Sequence, residues 1–311
     1  MKKASVYKKL FLFGLSIGFG IMMGKAIAVL HSNAQPKVAA CPQETAPQLS
    51  NSLLWKIEGK GLENPSYLFG TIHFFPESSF FLPRATAEVL DGVERITFEL
   101  DLTNPNLQKE LLQYTNMEEG QSLDKLYTEE EYQKIDEWIK STVGVGVEKF
   151  NTWQPMLLTT FILPRLLDEP AVSYEMKLLQ EAQSRELEIT GLETVKEQCM
   201  AMANIPPKEQ AEMLKEIVYD ETKMQALFKQ MIDLYAEQNI TDLYDLLEES
   251  SGGAAMTKPL VIERNQNWVD RIQNQYAEKP TFFAVGAGHL AGTKGLIALL
   301  RAEGYSVSAV E

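Results

Sequence analysis

Short apolar runs open the folded part of this chain, a helical period fills its middle, and short apolar runs return at its end. Leu54, Ile57 and Tyr67-Leu68-Phe69 lie in runs broken by Gly59, Gly61 and Pro65, which predicts a β-hairpin. Its second strand leads straight into Gly70-Thr71-Ile72-His73. Residues 82–93 have helical spacing, with Pro83 at a natural first-turn position. Ile96-Thr97-Phe98-Glu99-Leu100 reads as a buried strand with one charge, Glu99, in its middle. From about residue 104 to residue 276 the pattern is mostly helical. Thr128 followed by Glu131 is a capping box that opens a helix running through Ile139. Residues 174–187 predict another helix, followed by a short strand over 188–190. Pro206-Pro207 precedes a long acidic helical stretch to Glu249, whose Met213, Met224 and Met231 suit a core-facing side. Residues 250–255 read as a flexible break and residues 258–276 as a further helix. Residues 281–285 form an apolar strand entering Gly286-Ala287-Gly288-His289, after which 290–303 predict a helix and 305–310 a closing strand.

The expected fold is therefore α+β (α/β-like). A central β-sheet is built from the N- and C-terminal strands, with flanking helices and a large helical insertion over about 104–276. The strand–GxxH unit occurs twice. Both units fall at the carboxyl end of a strand, where open α/β sheets bind their ligands.

The first residues add a separate feature. Lys2, Lys3, Lys8 and Lys9 precede an apolar run over 10–24, and no acidic residue occurs before Glu44. This is the pattern of a signal peptide, with Ser32-Asn33-Ala34 as a cleavage region, or of an uncleaved N-terminal anchor. Residues 1–34 are assigned to that segment, 35–51 to a Pro/Ala/Gln/Ser-rich linker and 52–311 to the domain. Lipidation at Cys41 is a third, minor alternative. The expected location is exported: periplasmic, extracellular, or anchored with the domain outside the cytoplasm.

Composition, with 45% hydrophobic and 23% charged residues, is that of an ordinary globular protein. Loss of residues 1–34 would remove five of 29 basic residues and none of 43 acidic ones, taking the net charge from −14 to −19. Such acidity leaves no electrostatic footprint for nucleic acid. A membrane is expected to enter only through the N-terminal segment, if that segment is uncleaved. Cys41 and Cys199 allow one disulfide but have no local motif, and there is no CxxC or Walker A pattern.

Only three histidines exist, and His31 flanks the export segment. The other two, His73 and His289, each lie three residues after a glycine at the end of an apolar strand. Glycine at that place is expected to allow a tight or positive-φ turn that presents the imidazole at the sheet's edge. Glu99 is the natural third member, because a carboxylate in a run suited to burial is costly unless paired or bound to metal. Two histidines and a carboxylate make a divalent-metal set, and a bound ion supplies hydroxide near neutral pH. A second carboxylate would act as general base or complete the coordination, with Glu175 and Glu193 as candidates.

These residues resemble the TraB/PrgY/GumN family, which includes the Tiki proteins. The likeness begins at Leu54-Trp55-Lys56-Ile57 and continues through Ser66-Tyr67-Leu68-Phe69-Gly70-Thr71-Ile72-His73 and Phe98-Glu99-Leu100-Asp101. It then takes in Gly191-Leu192-Glu193-Thr194, Glu197-Gln198 and Glu263-Arg264-Asn265. It closes with Val285-Gly286-Ala287-Gly288-His289-Leu290-Ala291-Gly292 and Gly304-Tyr305. The resemblance implies a fold of the erythromycin-esterase/ChaN-like group. Tiki members look like metal-dependent peptidases that bind metal through paired GxxH motifs and a glutamate, which correspond to His73, His289 and Glu99. Arg264 and Asn265 match a motif expected to line the same cleft. Where many bacterial members have Gly-hydrophobic-Asp, this chain has Ser173-Tyr174-Glu175, whose carboxylate reaches further.

The resulting expectation is an exported metal-dependent hydrolase acting on a peptide or small-molecule substrate. His73, His289 and Glu99 would hold a divalent ion (Mn, Co, Zn or Fe). Glu99, Glu193, Arg264 and Asn265 would serve catalysis, and Tyr67 and Glu175 would contact substrate. The alternative is a non-catalytic protein that sequesters a peptide or binds haem or iron, with His73 or Tyr67 as ligand.

Overall fold

A computed structural model describes residues 49–310 except residues 62, 168, 251–253 and 276–278. The export segment, Cys41, most of the linker and the centre of the 250–255 break lie outside the described residues. The chain forms, in order, strands β1 (Leu54–Glu58), β2 (Ser66–Thr71) and β3 (Phe75–Pro76), helix α1 (Thr86–Asp91) and strand β4 (Arg95–Phe98). Helices α2 (Leu107–Gln113), α3 (Leu123–Leu126), α4 (Glu129–Val143) and α5 (Pro155–Ile162) follow, then β5 (Ala171–Val172), α6 (Tyr174–Ser184) and β6 (Glu188–Gly191). Next come α7 (Val195–Ala203), α8 (Pro207–Tyr219), α9 (Glu221–Ala236), α10 (Ile240–Ser250) and α11 (Ala254–Thr257). A π-helical turn (Lys258–Ile262) runs into α12 (Glu263–Gln275), and β7 (Thr281–Gly286), α13 (Leu296–Ala302) and β8 (Ser306–Ala309) close the fold.

Six strands form one mixed sheet in the order β6-β4-β7-β2-β1-β8. The β1–β2 hairpin forms as expected, with Leu54 opposite Phe69. β2, β7, β4 and β6 run parallel, and β1 is antiparallel to both β2 and β8. β7, formed last but one, inserts between β2 and β4, so strands from both ends of the chain share one sheet. Its six residues are all buried, as a central parallel strand with both faces covered requires. The edge strand β8 instead alternates buried Val307 with exposed Ser306 and Ser308. A separate ribbon of β3 and β5 went unpredicted, because two-residue strands carry no periodicity.

The helical insertion shares the sheet's core rather than standing apart. Tyr235 of α9 is fully buried, meets Phe75, Phe81 and Tyr174 ring to ring, and donates its hydroxyl to the Gly70 carbonyl at 2.7 Å. Met213, Met224 and Met231 are buried, so the acidic stretch over 209–249 is core on one side and solvated on the other. The capping box forms at both Thr128/Glu131 and Thr194/Glu197.

Three boundaries differ from expectation. The strand expected over 96–100 ends at Phe98, which puts Glu99 just past its end instead of in its middle. The helix expected over 82–93 contracts to α1. The helix expected from residue 290 begins only at Leu296, because Gly292 takes a positive φ of 83° and breaks the continuity from the His289 turn.

Candidate functional site

The four parallel strands deliver the site's side chains at their carboxyl ends. β2 ends two residues before His73, β4 one before Glu99, β6 two before Glu193 and β7 three before His289. Backbone hydrogen bonds fix the first turns beyond β4 and β6 to each other, from Leu192 N–H to Phe98 O (2.8 Å) and Glu193 N–H to Glu99 O (2.9 Å). Gly191 is what lets these turns approach, since a Cβ there would stand 2.4 Å from the Asp101 nitrogen. Gly70 plays a similar part between β2 and the His289 turn, where a Cβ would meet Leu290 Cδ1 at 2.9 Å and Ala287 at 3.1 Å. The expected positive φ is therefore not the reason for the GxxH glycines: Gly70 lies in β2, and Gly286 has φ −53°. Close backbone approach is the requirement at Gly70.

Glu99, Glu193, Arg264 and His289 are buried together. The Arg264 guanidinium donates from Nη2 to Glu99 Oε2 and to Glu193 Oε1, both at 2.6 Å, and from Nε to Glu193 Oε1 at 3.0 Å. Its Nη1 donates to the Leu260 carbonyl in the π-helical turn (2.9 Å) and to His289 Nε2 (3.1 Å). Trp268, one turn further along α12, lies with its ring 4.6 Å from the guanidinium carbon and donates its indole N–H to Glu193 Oε2 at 3.2 Å. Glu99 Oε1 accepts the Gly286 N–H at 2.8 Å and stands 3.9 Å from His289 Nε2.

Asn265 defines the state of His289. Its Nδ2 donates to the carbonyls of His289 (3.2 Å) and Lys294 (2.9 Å), so its Oδ1 accepts from His289 Nδ1 at 2.7 Å. The proton thus sits on Nδ1, and Nε2 carries the lone pair that faces Arg264. Burial, then the Arg264 charge, then His73 hold the His289 pKa well below 6.5, which keeps the ring neutral. Burial also raises the Glu193 carboxyl above its ordinary range, although Arg264 opposes the shift.

His73 has a different partner. Its Nδ1 lies 2.9 Å from Glu175 Oε1, in the first turn of α6 where the helix dipole favours an anion. The helix-capping Ser173 hydroxyl donates to Glu175 Oε2 at 2.7 Å. Burial alone would lower the His73 pKa, but the charge and hydrogen bond of Glu175 outweigh it and raise the value above 6.5. Burial likewise opposes ionisation of Glu175, yet His73 and Ser173 bring its pKa down to about 2. The Glu99 and Arg264 charges also act on His73, so the two halves form one electrostatic site.

Between the halves lies a small cavity lined by His73, Glu99, Leu100, Glu175 and Gln198. Its free core of about 10 Å³ is what one water-sized occupant needs. Gln198 spends Nε2 on Glu99 (3.2 Å) and Glu193 (3.0 Å), while its buried Oε1 has no hydrogen-bond partner among the described residues. Among those residues no group of three or more His, Cys, Asp or Glu side chains is arranged as a finished metal cage. The donor chemistry nonetheless fits an ion. Both imidazoles are engaged at Nδ1 by an oxygen, the arrangement that orients metal-ligating histidines, and the Glu99 carboxylate lines the cavity with His73 and stands 3.9 Å from His289 Nε2.

Of the expected site residues, the structure brings Glu99, Glu193, Arg264, Asn265, His289, His73 and Glu175 to this end of the sheet. Glu175, expected to contact substrate, faces His73 with its Oε1 2.9 Å from the ring's Nδ1. Tyr67 is not brought there: it pairs with Lys56 and Phe282, roughly 13 Å of strand before Thr71. Trp268 went unrecognised by sequence reasoning, although its place four residues after Arg264 puts both on one face of α12. Gln198 was visible only as part of the family resemblance. Cys199 is buried and its thiol pKa is pushed up to about 12, first by burial, which fits a packing role.

The sequence matches the TraB/PrgY/gumN family over residues 53–309. Among curated relatives, Metalloprotease TIKI2 of Danio rerio is 21% identical, with the match covering 86% of this chain and 62% of that protein. Metalloprotease TIKI1 of Homo sapiens is 23% identical, covering 88% and 64%. Metalloprotease TIKI homolog of Nematostella vectensis is 21% identical, covering 93% and 74%. The chain thus spans less than two thirds of the length of the Danio rerio and human relatives. No solved structure matches it. The family's span takes in every strand of the sheet and every residue of the buried site, and this chain belongs to the TraB/PrgY/gumN family.

Proposed function

We propose that this chain is an exported metal-dependent hydrolase, peptidase-like in its chemistry, with His73, His289 and Glu99 as the residues that hold the ion. The observation that carries the reading is the paired fixing of two imidazoles at Nδ1, by Glu175 and Asn265, beside one buried carboxylate. The relatives named as metalloproteases support the reaction class, and the basic-then-apolar N-terminus supports export. When bound, a divalent ion would supply a water of lowered pKa and polarise a substrate carbonyl.

The chain's own residues would do the rest. Asn265 holds His289 in the Nδ1–H tautomer, and Glu175 orients His73. Gln198, whose buried Oε1 has no hydrogen-bond partner among the described residues, would line the same cavity as a further polar group. Arg264, fixed by Glu193, is the group placed to stabilise negative charge that develops on a substrate oxygen. A haem-binding alternative finds less support. Tyr67, one of its two candidate ligands, sits at the other end of its strand.

The test is metal content by mass spectrometry after loading with Mn²⁺, Co²⁺, Zn²⁺ or Fe²⁺ and removal of unbound ions. Near-stoichiometric metal is expected in the wild type, with loss in a folded His73→Ala/His289→Ala variant, followed by turnover in a peptide screen. Absence of bound metal from both proteins would overturn the metallohydrolase reading in favour of a sequestering protein.

A further inference from the structure

The cation position of this site already has a tenant. The Arg264 guanidinium bonds Glu99, Glu193 and the only lone pair of neutral His289 that Asn265 leaves available. An imidazole nitrogen has one such pair, so Nε2 can accept from an N–H or bind a metal, but not both. If His289 is a ligand, its 3.1 Å contact with Arg264 has to break when the ion arrives. The like charges of an arginine and a divalent ion on shared ligands would repel in any case, strongly so in a buried site.

We infer that Arg264 is an internal counter-cation that holds the ligand set together in the metal-free protein and is displaced from His289 and Glu99 by the incoming metal. The inference rests on the metal-site reading above and adds an antagonism between the arginine and the ion. The geometry provides for both states. Three of the guanidinium's contacts go to Glu193, two of them from Nε, so the side chain can pivot away from His289 while keeping that anchor. The Leu260 carbonyl that Nη1 also holds lies in the π-helical turn, a helix form that recurs at functional sites. Displacement leaves the arginine beside the ion's ligands, where it can meet a substrate oxygen. Arg264 also balances the ligand set: without it, two buried carboxylates would lack a counter-charge.

The experiment compares the protein purified from cells expressing the full sequence with Arg264→Met, Arg264→Lys and His289→Ala variants. Mn²⁺ and Zn²⁺ binding is measured by titration calorimetry and by bound-metal content, and thermal unfolding is recorded with and without each ion. Arg264→Met is expected to bind metal more tightly by about 5- to 150-fold, the usual scale of coupling between two ligands. Arg264→Lys, which keeps the charge but loses the fork, should lie between it and the wild type, and His289→Ala should lose binding. The metal-induced rise in midpoint should be larger in Arg264→Met than in the wild type. Should Arg264→Met fold only when metal is supplied, and only with His289 intact, the ion has replaced the missing cation and the inference stands. Binding by Arg264→Met that is no tighter than wild type would overturn the displacement alone and leave the metal site. Failure of the wild type and Arg264→Met alike to bind either ion would overturn both.

Discussion

His73 and His289 are chemically identical side chains given opposite characters by their neighbours. Burial and Arg264 keep His289 neutral, whereas Glu175 holds His73 toward its protonated form. A pH prediction follows for the metal-free protein. Glu175, depressed to about 2, contributes fully to stability above its ordinary 4.5 and loses that contribution as pH falls toward 2. His73, raised above 6.5, contributes fully below 6.5 and loses its share as pH rises through its elevated value. Glu175→Gln should therefore cost most between pH 4.5 and 6.5, by roughly 1–3 kcal/mol for a lost charged hydrogen bond. Chemical denaturation in the presence of a chelator across pH 3–9 (roughly the span of these titrations) checks this. A cost independent of pH would mean that the pair is not ionised. The type of residue at each position could be read from sequence, but the protonation states could not, because each depends on a partner at least 24 residues away.

Elements meet at this site through glycines whose missing Cβ is the point. At Gly191 the obstacle to a side chain is backbone, the Asp101 nitrogen at 2.4 Å, and it cannot move without parting the turns that carry Glu99 and Glu193. At Gly70 the nearest obstacle is the flexible tip of Leu290, with Ala287 behind it. Gly70→Ala should cost about 1–3 kcal/mol, the range for overpacking, and Gly191→Ala more than that. Thermal unfolding of the two variants ranks them; the reverse order would show that the turns beyond β4 and β6 are the softer region. The helix start at Thr128 was legible because a capping box is local chemistry between residues three apart. The ends of β4 and α13 were not, since Glu99 leaves its strand to reach Arg264, and Gly292 turns the chain by a positive φ.

The main hydrophobic core is shared by sheet and insertion, and two smaller clusters lie beside it among the insertion's helices. The hydroxyl of Tyr235 in α9 closes on Gly70 near the end of β2, the strand that pairs with β7. Tyr235→Phe removes the donor from a buried carbonyl and should cost roughly 1–3 kcal/mol. Native-state hydrogen exchange should show the slowest amides of α9 and β7 losing the same amount together. Loss confined to α9 would instead mark the insertion as an independent folding unit.

By itself the sequence determined the kinds and order of the longer elements, since hydrophobic periods and caps act over a few residues, but not the two-residue strands β3 and β5. It also marked the residues able to do chemistry, since histidines at strand ends and carboxylates in apolar runs stand out against their neighbours. Only the tertiary structure decided what those residues are to one another. Placing β7 between β2 and β4 brings His289 to Glu99 and His73, and packing α12 across the carboxyl ends inserts Arg264 among them. Pairing between positions 165 residues apart leaves no periodic trace in the chain, because it is set by strand order and burial.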